Sequence, residues 1–253
     1  MHTTTDREKA LQEHLEQEHH QSPLQDYFKE VIYGGIDGIV TTFAVVAGFS
    51  GAALSNDMTT QLTFMVVLLF GLANLFADAA SMGLGNFLSV RSEKDLYNVA
   101  RRKEKYEIEN NADLEYEETI TIMIQKGFTE EQATQLADIY RSNDAYWLDF
   151  MMTHELEMPD PRGENPILTG TATFISFMIF GAIPLLPFIF MESGDAALAF
   201  KLSSIGTFFA LVTLGLLKWR VIGSRFWASL LEVVLVGGTA AVLAFVVGSF
   251  FSL

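Results

Sequence analysis

The chain contains no cysteine. Disulfides, thiolate metal ligands and cysteine nucleophiles are therefore excluded, and the redox state of the compartment leaves no mark on the sequence. Positive charge is scarce: 16 Lys and Arg stand against 31 Asp and Glu, for a net charge of −15. A protein this acidic repels nucleic acid and attracts cations. The opening "MHTTTDREKALQEHLEQEHHQS" has no apolar core of the signal-peptide kind, so no cleaved leader is expected. Hydrophobic residues, by contrast, make up 50% of the chain, and the mean hydropathy is positive. Such hydrophobicity combined with such charge implies separate apolar and acidic blocks.

Crossing ~30 Å of hydrocarbon takes roughly 20 apolar residues in a helix, and five stretches qualify. They are Val31 to Leu54, Leu62 to Val90, Ile167 to Met191, Ala196 to Leu217 and Phe226 to Leu253. Their charges are few: Asp37, Asp78, none, Lys201 and Glu232 in turn. The fold expected is all-α and polytopic, with a polar segment at 1–28, two spans in 29–90, an acidic helical insertion at 91–166 and three spans in 167–253. The links "SNDMTTQ" and "ESGD" lack Lys and Arg, whereas Arg7, Lys9, Lys29, Lys218, Arg220, Arg225 and the nine basic residues of the insertion share the other side. Basic residues mark the cytoplasmic face. The N-terminus and insertion are therefore expected in the cytoplasm and the C-terminus outside or in a lumen, with Lys201 snorkelling from a helix end.

An ionisable side chain near the bilayer centre costs about 2.5 to 3.5 kcal/mol on insertion scales. Asp37 and Asp78 thus need compensation. Asp78 and Met82, four residues apart, point to one side of the second span. Small residues surround both acids, among them Gly34, Gly35, Gly38, Ala79 and Gly83, and such residues let helices approach closely in a membrane. Two carboxylates and a thioether in a tight interface suit a partly dehydrated divalent cation. The structural alternative is that each Asp caps or hydrogen-bonds a neighbouring helix. Glu232, about two turns into the last span, is placed to reach headgroups or Arg225. Pro184 and Pro187 in "GAIPLLPF" are expected to kink the third span. His2, His14, His19 and His20 either scavenge metal or belong to a polar tail at the surface.

The insertion from Arg91 to Pro166 holds eighteen acids against nine basic residues. "RSEKDLYNVARRKEKYEIENN" is expected to continue the second span. "DLEYEETITIMIQKG" is expected to start on an Asp113 cap and stop at Gly127. "FTEEQATQLADIYRS" opens on Thr129 and two glutamates, and "NDAYWLDFMMTHELEM" is expected to run to Pro159. Glu104 and Glu107, Glu115 and Glu118, and Met152 and Glu155 are pairs three apart, hence on one helix face. Like charges so close need an offset, either a bound cation or Lys and Arg neighbours. Carboxylates facing a common point supply an oxygen shell, and methionine sulfur biases it toward transition ions over Ca²⁺ or Mg²⁺. The same pattern also describes a solvated acidic face, with Met151 and Met152 filling a core against Trp147 and Phe150, and with His154 an ordinary histidine.

Four motifs, "YGGIDGIVTTFAVVAGFSGA", "ASMGLGNFLSVRSEKDLY", "WLDFMMTHELEMPDPRG" and "GAIPLLPF", occur in an order and spacing that resemble the vacuolar iron transporter family, in the branch with a cytoplasmic metal-binding domain between the second and third helices. The resemblance covers nearly the whole chain from Val31 onward. It implies a dimer of five-helix protomers that exports Fe²⁺, and often Mn²⁺, from the cytoplasm in exchange for protons. It also implies ion binding in the insertion by Glu104, Glu107, Glu115, Glu118, Met151, Met152 and Glu155, and an ion path through Asp37 and Met82. One position departs: where some relatives carry a glutamate, this chain has Asn74, with Asp78 one turn later as a substitute.

The function expected is proton-coupled export of Fe²⁺ or Mn²⁺, with Co²⁺ and Zn²⁺ also compatible with the ligands. The ion is cargo and no prosthetic group is expected. The chain is expected to be a multi-pass homodimer in a cell or vacuolar membrane, not an enzyme. A membrane-anchored metal buffer or sensor is the alternative. A ferritin-like ferroxidase is disfavoured because no Glu-x-x-His pair occurs in the insertion.

Overall fold

The computed structural model describes residues 27–53, 60–191, 196–223 and 225–250, together with Lys9, Leu11 and His14, which are helical. Among the described residues there is no strand. The helices are α1 (Phe28–Ala53), α2 (Thr60–Asn110), α3 (Ala112–Gln125), α4 (Glu130–Arg141), α5 (Asp144–His154), α6 (Pro166–Ala182), α7 (Leu186–Phe190), α8 (Ala196–Ile222) and α9 (Phe226–Phe250), with 3-10 turns at Pro161–Gly163 and Ile183–Leu185. Contacts divide the chain into two compact units, one of residues up to Asn86 and from Ile167, the other Phe87–Pro166.

The first unit contains all five apolar segments, each long enough to cross a membrane. Their outward residues are themselves apolar: Met65, Leu69, Phe76 and Leu84 of α2 and Trp227, Leu235 and Val242 of α9 are exposed. Water would penalise such a surface; lipid does not. The chain is an all-α polytopic membrane protein. Inside, α1 packs with α8 and α9 around Ile39, Leu211, Leu214 and Val233, and a second cluster gathers Val46, Phe64, Leu75, Phe177 and Leu185.

Close approach here depends on glycine. A Cβ on Gly34 would lie 2.7 Å from the Thr173 carbonyl, and one on Gly38 2.6 Å from the Phe177 carbonyl. Backbone-to-backbone packing of this kind replaces the hydrophobic effect inside a bilayer. The third span breaks at its prolines, where the α-helix gives way to the turn Ile183–Leu185. The Ser203 hydroxyl donates to the Pro184 carbonyl at 2.7 Å, a partner where the ladder is interrupted.

α2 is a single helix of 51 residues and does not break where its sequence changes from apolar to charged at Arg91. The second unit is built on its last turns and on α3 to α5, around Trp147, Met151, Met152, Tyr97, Ile108 and Met123. Burying each such large side chain contributes roughly 1.5–3 kcal/mol. α4 starts on a full capping box: the Thr129 side chain accepts from the Gln132 amide and Gln132 accepts from Thr129.

Two expectations about this unit are corrected. α3 begins at Asn111, whose carbonyl accepts from the Leu114 and Glu115 amides, while Asp113 sits inside the first turn and pairs with Arg141 at 2.8 Å. α5 stops at His154, short of Pro159. There the amides of Leu156 and Met158 turn back onto the Met151 and Met152 carbonyls, and Glu157 takes the left-handed conformation (φ 51°) usually given to glycine. Leu156 and Met158 then pack on the core, which fixes the turn.

Candidate functional site

Three glutamates from three helices meet in the second unit. Glu104 comes from α2, Glu115 from the first turn of α3, and Glu155 caps the end of α5. Each offers a carboxylate oxygen within 4.8 Å of the others. Glu104 and Glu115 are 2% and 3% exposed, and Glu155 is half-buried. One oxygen of each, Glu104 Oε1, Glu115 Oε2 and Glu155 Oε2, is buried without a hydrogen-bond partner. Among the described residues, no ion pair reaches any of the three: Lys103 pairs with Glu107 at 3.3 Å, Lys105 with Glu109, Arg101 with Asp149 and Arg162 with Asp160. Among the described residues, neighbouring basic residues therefore form no ion pair with the cluster, and Lys103 acts on Glu115 only through its charge.

The electrostatics follow from that arrangement. Burial, and then the charges of Glu155 and Glu115, push the Glu104 carboxyl up to about 8. Burial, and then the charges of Glu118 and Glu115, push Glu155 up to about 7. Burial also raises Glu115, against a lowering hydrogen bond from Glu104. Two carboxylates in contact can bond only through a shared proton. Near neutral pH the cluster must hold a proton or bind a cation, because several naked charges in a low-dielectric site repel.

The remaining insertion candidates take different places. Glu107 is half-buried and Glu118 exposed, and both bear on the cluster through their charge. Met151 and Met152 are wholly buried in the core, one turn before Glu155. The Met151 sulfur is 3.3 Å from the Thr119 hydroxyl, which accepts from the Trp147 indole at 2.8 Å. That buried contact, tying α3 to α5, has no signature in a single sequence. His154 is exposed and packs its ring against Phe150 in a tilted arrangement, centroids 4.6 Å apart. His2, His19 and His20 lie outside the described residues; His14 is an exposed helical residue.

In the membrane unit, Asp37 is half-buried and lines a groove of about 780 Å³ with Lys29, Ile36, Val40, Lys218 and Val236. Asp37 of α1 and Asp78 of α2 are both half-buried within the membrane unit. Asn74 donates to Asp78 at 2.7 Å, so the amide holds the acid one turn away. Met82 is half-buried on the same face of α2. Glu232 is exposed and pairs with Lys218 of the preceding helix, not with Arg225. One buried acid, Glu30 in the first turn of α1, was not among the candidates read from the sequence, since it precedes the apolar run.

The VIT family model matches residues 28–249. The vacuolar iron transporter of Toxoplasma gondii is 35% identical over 243 residues, covering 93% of this chain and 78% of that protein. Vacuolar iron transporter 1 of Oryza sativa subsp. japonica is 34% identical over 233 residues, covering 90% and 88%. Vacuolar iron transporter 1 of Arabidopsis thaliana is 33% identical over 218 residues, covering 86% and 83%. The matched range takes in the acidic unit and all but the last residue of the membrane helices, and on that extent of similarity the chain belongs to the VIT family.

Proposed function

We propose that this protein exports Fe²⁺, and also Mn²⁺, from the cytoplasm in exchange for protons, gathering ions on its acidic unit and passing them through its spans. The observation that carries the reading is the meeting of three glutamates, each with a carboxylate oxygen within 4.8 Å of the others and each with one buried oxygen that lacks a hydrogen-bond partner. An oxygen set of that density matches the ligand preference of divalent cations. The family supplies the context of metal-ion transport: its named relatives are vacuolar iron transporters.

In the proposed cycle, Glu104, Glu115 and Glu155 are the principal ligands. Glu107 and Glu118 add negative potential at the rim, and the Met151 or Met152 sulfur supplies the softer ligand after a side-chain rotation. The cation then passes Asp37, Asp78 and Met82. Asn74 holds Asp78 in place while the ion is absent. A carboxylate that loses its ion takes a proton for the return step, because an unpaired charge in the bilayer is costly. A homodimer with N-termini and insertion in the cytoplasm fits the distribution of basic residues and the family resemblance. Either a cell or a vacuolar membrane is compatible.

Reconstituted wild-type protein is expected to move Fe²⁺ and Mn²⁺ along an opposing pH gradient, and Asp37→Ala to reduce flux by about 100-fold or more, the effect of losing one essential charge contact of ~2.7 kcal/mol. Wild-type flux from the alanine variant would refute the path. The membrane-anchored buffer or sensor predicts ion binding with no flux from either protein, and the same vesicles decide between them.

A further inference from the structure

Among the described residues, Glu30 is the one buried acid of the membrane unit that the transport scheme leaves unused. It is 9% exposed, and its Oε2 oxygen is buried without a hydrogen-bond partner. Helix register identifies its surroundings. Gly34 lies against the Thr173 carbonyl and Ser176, and Gly38 against Phe177 and Gly181, so α1 and α6 run parallel and advance together. One turn back along both helices sets Glu30 at the level of Thr169 and Thr173, and its Cα–Cβ bond tilts toward that end. Both threonines are buried. Thr173 Oγ1 accepts from Asn86 Nδ2 of α2 at 2.8 Å and donates to the Thr169 carbonyl at 3.0 Å. α2 comes this near because Gly83 lies against the Gly170 carbonyl.

Three helices thus bring a carboxylate, an amide and hydroxyls to the end of the spans from which α2 continues into the insertion. Glu30 and Asp37 are seven residues apart, two turns or about 10 Å along one face of α1. Asn86, Met82, Asp78 and Asn74 follow at intervals of four along one face of α2. A first-turn acid is favoured by the helix dipole, which accounts for a charge at position 30 but not for a naked oxygen buried between helices.

We propose that Glu30 is a docking site for a divalent transition cation, with the Asn86 amide and Thr173 hydroxyl as its neutral oxygen donors, where the ion waits before moving to Asp37. This rests on the transport reading above. The ligand set is oxygen only, and so favours Mn²⁺ and Fe²⁺ over thiophilic ions.

The test is Mn²⁺ uptake by full-length protein in liposomes, with thermal unfolding of the same samples. Glu30→Gln keeps the shape and removes the charge. It is expected to lower uptake at least tenfold while leaving the unfolding temperature unchanged or higher, since a buried charge has been neutralised. Glu30→Asp is expected to recover part of the uptake. Wild-type uptake by Glu30→Gln overturns the site. So does equal loss in both variants accompanied by a lowered unfolding temperature, which marks a structural role. If the wild type itself takes up no Mn²⁺ or Fe²⁺, the transport reading falls and this site with it; if only the Glu30 variants behave unexpectedly, the transport reading stands.

Discussion

Asp78 and Glu104 belong to the same uninterrupted helix, yet their surroundings differ. Asp78, within the apolar part, receives a hydrogen bond from Asn74 at 2.7 Å. Glu104, beyond it, is 2% exposed, keeps one oxygen bare, and faces two more carboxylates. In lipid an unpartnered acid has no water to fall back on, so a fixed dipole beside it lowers the cost of keeping it there. In the acidic unit the cluster is tolerated because it can take up a proton. Under the proposed function, the contrast separates two kinds of site: the acidic cluster is prepared to capture a cation, and Asp78, already hydrogen-bonded, is suited to releasing it quickly. A conducting path needs binding weak enough to leave.

The sharpest way to break this comparison is to run Glu104→Gln and Asp37→Ala through the same two assays. Glu104→Gln is expected to weaken Mn²⁺ binding by about 100-fold, or ~2.7 kcal/mol, while flux at saturating Mn²⁺ stays near wild type. Asp37→Ala is expected to do the reverse. Loss of saturating flux in Glu104→Gln would make the cluster an obligatory step in the path and collapse the distinction.

Acidity sharpens the comparison further. The Glu104 and Glu155 carboxyls are raised to about 8 and about 7 from an ordinary value of 4.5. A carboxyl whose folded pKa is raised favours folding most when protonated, and that contribution is lost as pH climbs from 4.5 through 7 and 8. The ion-free protein is therefore expected to lose thermal stability over this window. A bound cation requires the ionised form, so added Mn²⁺ is expected to restore more stability the higher the pH. Unfolding scans with and without Mn²⁺ from pH 5 to 8.5 check this. A Mn²⁺-induced gain that is constant across the series argues against binding at the cluster.

The spans were legible because a run of twenty apolar residues has few alternative explanations, and the start of α4 because Thr129 and Gln132 form a local device. The acidic cluster was legible as spacing and through the family resemblance, but not as geometry. That Glu104, Glu115 and Glu155 converge, while Glu118 stays in solvent, depends on how Trp147, Met151 and Thr119 lock α3 to α5, a tertiary matter. The end of α5 was misread for a related reason. Glu157 adopts a backbone conformation that glycine would have advertised, held by the packing of Leu156 and Met158. Glu232 likewise found Lys218, a partner on the neighbouring helix that is distant in sequence. Glu30 escaped notice as the polar edge of a span, where an acid is unremarkable until its burial is known.

The smallest expected effect tests whether the rim of the cluster matters at all. Lys103 and Glu107, four apart on α2, form an exposed pair at 3.3 Å, and the Lys103 charge also reaches Glu115. Exposed pairs of this sort contribute little to folding, so Lys103→Ala is expected to leave the unfolding temperature unchanged. Its influence on the ion has the opposite sign from that of the glutamates: a removed positive charge leaves Glu107 unpaired and the site more negative. Mn²⁺ affinity is then expected to rise about 2- to 3-fold at low ionic strength, a change of the size exposed charge pairs produce. The gain is expected to vanish in high salt, where the Debye length shrinks to ~3 Å at 1 M. Titrations at two ionic strengths read this directly. Weaker binding in the alanine variant would mean that Lys103 organises the cluster, and that basic neighbours, rather than a cation alone, offset its charge.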